Sequence, residues 1–194
     1  MGQRHQIYVV NKKENKYKPL GAFHHQWCYG LTATCNLTRA CQLIEINKVR
    51  AIRPWNDYAL SDKREIETLI KATYGVDCHG NTSMLHNEEK YLMDDNSIYP
   101  SRGDNNDGCS LIVIDDDAKE VRGCMFTAHH LEGEFSRSVE QYKAYTREEY
   151  IAFYYKTEKI KDTKELEIIA KYNLKPVHDY EMALLMAKDK ESKN

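Results

Sequence analysis

The 194-residue chain lacks long apolar runs, a surplus of either charge, and any cluster of glycine or proline. No stretch approaches the roughly 20 apolar residues of a membrane-spanning helix. The 28 basic and 30 acidic side chains nearly cancel, leaving −2. No cationic excess is present to hold a phosphate backbone by charge alone, which argues against a general duplex-binding protein. With nine Gly and four Pro, none gathered into a linker, nothing divides the chain. It reads as a single domain over residues 1–187, followed by a charged tail, 188–194, expected to be disordered. A chain this long buries roughly 70% of its unfolded surface and needs no staple to fold. The six cysteines form no C-x-x-C pair, and they read as reduced, mostly buried thiols. Neither His-x-His nor His-x-x-x-His occurs among the eight histidines, so no metal is expected and no cofactor is named. Phosphate-loop, dinucleotide and nucleophile-elbow motifs are absent. The opening residues carry no signal-peptide core, which reads as a cytoplasmic protein.

What is present is β-rich first and helical last. Gln3–Val10 alternates as a strand, with Ile7 and Val9 on one face and Tyr8 and Val10 on the other. Tyr17–Trp27 returns, interrupted by Pro19 and Gly21, the mark of an edge or a bulge. A helix is expected over Leu31–Ile46 and another over Asp62–Tyr74. Residues 76–108 show little periodicity. Cys109–Asp115 and Glu120–Thr127 then read as a hairpin whose first strand is centrally buried. Thr146 with Glu149 forms a capping box before a helix, Asp162 with Glu165 another, and Asp179 is placed to cap a last one. The fold class is α+β: a mostly antiparallel sheet built from hairpins, covered by helices, with a helical C-terminal third.

Three segments put hydrogen-bonding side chains where a core strand would not. Arg4-His5-Gln6 begins the first strand, and His24-His25-Gln26-Trp27-Cys28-Tyr29-Gly30 ends the second. If the two strands pair as a hairpin, these polar ends lie side by side. Imidazole and amide groups beside Trp27 and Tyr29 suit a flat aromatic ligand that stacks and is read by hydrogen bonds. His24 and His25 point to opposite faces, so they share one site only if a bulge re-aims one. The third segment is Ser101–Gly108, where Arg102 offers an anion contact and Asn105, Asn106 and Asp107 make a polar turn. It fails as a calcium loop from Asp104, because Gly108 stands at the fifth place and Asp115 at the twelfth. Cys78-His79 lacks the surroundings of a thiol nucleophile. His129 and His130 are further candidates to join His5 or His24. Asp115-Asp116-Asp117 reads as a solvated turn.

The opening MGQRHQIYV, then HHQW-Cys-YG, then GDNNDG running into a buried strand, resemble a family of uncharacterised proteins associated with bacteriophages and filamentous fungi. The resemblance assigns no activity. It marks His5, Gln6, His24, His25, Trp27, Tyr29, Asn105, Asn106 and Asp107 as site positions. A fainter likeness is to class II glutamine amidotransferases, which use an N-terminal Cys. The chain departs from that pattern, with Gly2 after Met1 and the nearest thiol at Cys28.

Two functions are expected from these residues. The first is a phage-type protein, acting in the host cytoplasm, that binds or binds and hydrolyses a nucleotide-like small molecule such as a cyclic-nucleotide immune signal. As an enzyme it would be a hydrolase of phosphodiester or amide bonds, with His5, His24 and His25 as acid–base groups. Arg4, Gln6, Gln26, Trp27, Tyr29, Arg102, Asn105, Asn106 and Asp107 would hold the ligand. The alternative is a non-enzymatic protein that inhibits a host protein through Tyr142, Tyr145, Tyr150, Tyr154 and Tyr155. Ordinary helix packing accounts for the same tyrosines.

Overall fold

The computed structural model describes residues 4–26, 28, 30–50, 63–74, 82–84, 92–102, 108–126, 144–154 and 163–191. In chain order these form β1 (Arg4–Lys13), β2 (Lys16–Gln26), α1 (Gly30–Arg50), α2 (Lys63–Tyr74), β3 (Thr82–Met84), β4 (Met93–Asp94) and β5 (Ser97–Ile98). They continue as β6 (Cys109–Asp115), β7 (Glu120–Phe126), α3 (Arg147–Tyr154), α4 (Thr163–Lys171), α5 (Asp179–Leu185) and α6 (Ala187–Glu191).

The fold is α+β, but its sheet is mixed. The order is β3-β2-β1-β6-β7, and β4-β5 is a separate small hairpin. Both sequence-predicted hairpins form: β1 pairs antiparallel with β2, and β6 with β7. They join along β1 and β6, which run parallel from Gln6 beside Cys109 to Lys12 beside Asp115. This corrects the expectation of a mostly antiparallel sheet. Hairpins announce themselves locally through their turns, whereas the pairing between hairpins is set by the long return through α1 and α2. The β1–β2 turn is tight, with only Glu14 and Asn15 at its tip, at φ 52° and 57°. The irregularity suggested by Pro19 and Gly21 is real. The register slips so that Val9 faces Gly21 and Val10 faces Pro19.

Side chains alternate between two buried faces. On one, Ile7, Val9, Phe23, Ile112, Ile114, Val121 and Met125 pack under Leu37, Cys41 and Ile44 of α1 and Ile66 and Ile70 of α2. Each such Leu or Ile contributes about 1.5–3 kcal/mol by leaving water. On the other, Tyr8, Val10, Leu111, Val113 and Cys124 meet Met93 and Ile98 of the small hairpin and Met182 and Leu185 of α5. β6 is buried along its whole length, as its unbroken apolar run requires. α3 and α4 pack against α1 through Ile151, Ile169, Leu31 and Cys35.

The helix starts follow the sequence in part. Thr146 and Glu149 close their capping box reciprocally, with bonds of 2.9 and 3.1 Å. At α5 the cap is His178, not Asp179, and Glu181 reaches back to the His178 amide at 3.2 Å. Residues 188–191 belong to α6, where composition alone suggested disorder. Asp189 is buried there and Lys188 reaches Asp94. Five cysteines (28, 35, 41, 109 and 124) are free and buried. Among the described residues, no helix is long and apolar enough to cross a membrane.

Candidate functional site

The two polar strand ends meet as their spacing implies. Arg4 stands opposite Gln26, His5 opposite His25, and Gln6 opposite His24. Pairing across an antiparallel ladder puts opposed residues on the same face, so the polar ends divide into two groups.

Arg4, Gln6, His24 and Gln26 form the group on the face that also carries Tyr8 and Val10. Gln6 Nε2 lies 3.2 Å from His24 Nδ1. The amide nitrogen donates, so Nδ1 accepts and the neutral ring carries its proton on Nε2. Gln6 is buried, while Arg4, His24 and Gln26 are half-buried. The Gln6 backbone N–H donates to the Gly108 carbonyl at 3.3 Å, which ties β1 to the entry of β6. Gly108 is at φ +102°, and a Cβ there would lie 3.2 Å from the Phe126 carbonyl and 3.4 Å from the Tyr150 hydroxyl. Only glycine suits that turn.

His5 and His25 form the other group, and both are fully buried. His25 Nε2 donates to the Tyr74 carbonyl at 2.6 Å and so pins the last turn of α2 to the sheet. His5 Nε2 lies 2.8 Å from Ser110 Oγ. Ser110 donates onward to Met125 Sδ at 3.3 Å, and the Tyr74 hydroxyl reaches Ser110 at 3.5 Å. The direction of the His5–Ser110 bond is set by the His5 tautomer, since either group can donate. This is a closed polar joint between α2 and the sheet. The three histidines proposed as acid–base groups therefore divide, His24 on one face and His5 with His25 on the other.

Arg102 lies just after β5, with its guanidinium 4.2 Å over the Tyr99 ring. The Tyr99 hydroxyl donates to Asp94 at 2.6 Å. Burial and that carboxylate push its pKa up to about 12. Trp27, Tyr29, Asn105, Asn106 and Asp107 lie outside the described residues, as do Cys78, His79, His129 and His130. Among the proposed docking tyrosines, Tyr150 is fully buried in the core and Tyr145 packs against it, so these two serve helix packing.

At the opposite end of the sheet is a charged cluster that sequence reading missed. Arg122, fully buried, meets Asp115 at 2.8 Å, Glu120 at 2.6 Å and Glu181 at 2.5 Å. Lys12 joins Asp115 at 3.0 Å, Lys175 joins Glu120 at 2.7 Å, and the Tyr17 hydroxyl donates to Glu181 at 2.7 Å. Three carboxylates face three cations. Asp115 also accepts from the amides of Asp117 and Ala118. Its neighbours in the triple-aspartate turn are engaged as well. Asp116 takes Asn11 Nδ2 at 2.9 Å, and Asp117 takes the amides of Glu14 and Asn15. The turn read as solvated is the clamp between the two hairpins. A signal was present in Arg122, a lone charge in the middle of an apolar strand.

Burial opposes the Asp115 charge, but the Ala118 amide, Lys12 and Arg122 outweigh it and hold the carboxyl below its ordinary 3.8. Glu120 is held below 4.5 by Lys175 and Arg122, also against burial. The folded state thus binds fewer protons than the unfolded chain as these groups titrate. Their stabilisation is complete above the ordinary carboxylate range and is lost as pH falls through the folded values. The contribution of these two carboxylates to the urea midpoint should be constant from neutral pH to about 5 and fall below about 4.5. Asp115→Asn should flatten that acid limb, and an unchanged limb would show that Asp115 is not held ionised.

No family model, curated protein or solved structure matches the chain.

Proposed function

We propose that the chain binds a nucleotide-like small molecule at the strand ends, on the face of Arg4, Gln6, His24 and Gln26. One observation supports this reading above the others: the Gln6 amide and the His24 imidazole stand side by side across β1 and β2, 3.2 Å apart. With that bond made, the Gln6 side-chain oxygen remains an acceptor and His24 Nε2–H a donor, groups of the kind that read the edge of a base. Arg4, two residues from Gln6 on the same face, supplies a guanidinium suited to phosphate. Arg4, His24 and Gln26 keep partial contact with water, whereas His5 and His25 are fully buried. The phage-like opening motifs make a host cyclic nucleotide the first ligand to test. Should the ligand also be cleaved, His24 is the acid–base group on this face.

The test is incubation of purified protein with cyclic dinucleotides, cyclic oligonucleotides and ADP-ribose derivatives, read by thermal shift and mass spectrometry. Ligand at a hundredfold its dissociation constant stabilises by about 2.7 kcal/mol, a shift of several degrees. Arg4→Met and His24→Ala should remove the shift while leaving the ligand-free melting temperature within a few degrees. Recovery of intact ligand identifies sequestration, and its consumption, abolished by His24→Ala, identifies hydrolysis. Absence of both shift and turnover across the panel would overturn the reading.

A further inference from the structure

α5 and α6 run almost without a break, separated only by Met186 at φ −93° and ψ −1°. One side of this helical segment is committed to the core: Glu181, Met182, Leu185, Met186 and Asp189 are buried. The other side is exposed along Asp179, Tyr180, Ala183, Leu184, Ala187 and Lys188. That spacing makes one continuous stripe on a helix. Tyr180 is 60% exposed and Leu184 47%, an unusual pair of large apolar side chains one turn apart in water. The Tyr180 ring is also held in place, stacked on His178 with ring centres 5.4 Å apart and planes at 12°. A ring already ordered loses less freedom when it is covered.

The stripe is complementary to itself. Set two copies antiparallel about a two-fold axis, with Ala183 opposite the partner's Leu184. Tyr180 then faces the partner's Ala187, and Asp179 faces the partner's Lys188. Each large side chain meets a small one, and each acid meets a base. A two-fold contact repeats every pairing twice, so complementarity of this kind is what an isologous interface requires. Lys188 sits on this side of the molecule, sharing its ammonium with Asp94 at 3.2 Å.

We infer that this face is a homodimer interface, in which α5–α6 of one copy packs antiparallel on the same helices of a second copy. Two short helices bury less area than a standard interface, so the dimer is weak and concentration-dependent. The inference is independent of the proposed ligand site, which lies at the polar strand ends.

Sedimentation velocity across a wide micromolar range tests it. The native chain should shift from monomer to dimer, and Leu184→Glu should raise the dissociation constant about tenfold or more. Charge reversal tests the register separately. Asp179→Lys alone and Lys188→Asp alone should each weaken self-association, because each puts like charges across the axis. Mixed together they should form a heterodimer, since every facing pair is then of opposite sign. Circular dichroism checks that each variant is folded. A monomer at all concentrations, a dimer indifferent to Leu184→Glu, or single variants that do not recover on mixing would overturn the interface.

Discussion

Replacing Arg122 with Met should cost about 3–5 kcal/mol of folding stability, a large part of what a domain of this size has to lose. The expectation comes from what would remain. Asp115, Glu120 and Glu181 converge on the guanidinium at 2.5–2.8 Å, and Asp115 and Glu181 have almost no contact with water. Burial works against the Arg122 charge, yet hydrogen bonds to Glu181, Glu120 and Asp115 more than compensate and raise its pKa. Removing it strands buried carboxylates, whose desolvation has already been incurred. Lys12 is bonded to Asp115 and Lys175 to Glu120, whereas the bonds of Arg122 Nε and Nη2 to Glu181 are lost with the guanidinium. Arg122→Lys keeps the charge and loses the planar fork, so it should fall between the two. Double replacement by Arg122→Met and Glu181→Gln should recover part of the loss, because it removes the stranded charge along with its partner. Urea unfolding of the three variants measures this. A loss below about 1 kcal/mol for Arg122→Met would mean that the cluster behaves as a solvated surface network.

The same cluster shows why the two ends of the sheet differed in how much the sequence revealed. The polar strand ends could be read because both signals are local. Arg4-His5-Gln6 interrupts one apolar alternation, His24-His25-Gln26 interrupts the next, and a tight turn between them fixes which residues face each other. The same alternation separated His24 from His25, and the structure keeps them on opposite faces. The role of His5 and His25 was not local. It depends on the α2 carbonyl at Tyr74 and on Ser110 from a strand about a hundred residues away. The ionic cluster draws Glu181 from α5, 59 residues beyond Arg122 in the chain. Nothing in the pattern of either segment announces that partnership. The parallel β1–β6 seam was hidden for the same reason. Its two strands belong to hairpins that are each complete by local rules, and only the packed core beneath α1 brings them edge to edge. By contrast, α1 was legible nearly end to end, because Leu37, Cys41 and Ile44 repeat at helical spacing and all three are buried where α1 crosses the sheet.

That crossing makes a second large effect predictable, at Gly123. The residue lies in the middle of β7 with ordinary extended backbone, so its value is not conformational. A Cβ placed there would come within 2.9 Å of Cys41 Sγ and 3.2 Å of both Leu37 Cδ1 and Leu174 Cδ1. The leucine methyls end flexible side chains and can yield a few tenths of an ångström. The sulfur cannot move far, being two bonds from the α1 Cα in a fully buried position. Gly123→Ala should therefore destabilise by roughly 1–3 kcal/mol, as overpacking does. The opposing gain from a stiffer unfolded chain is only about 0.4–1 kcal/mol. Gly123→Val adds two more methyls in the same gap and should reach the upper end of that range or exceed it. The cause is separable by a double-mutant cycle. Cys41→Ala removes the sulfur and costs stability of its own through the small cavity it leaves. In that background Gly123→Ala fills the space, and its cost should fall below 1 kcal/mol or change sign, since only the yielding leucine contacts then oppose the unfolded-chain gain. Additive losses would show that α1 stands off β7 by more than this contact, and that the close approach of helix and sheet is not what glycine serves at this position.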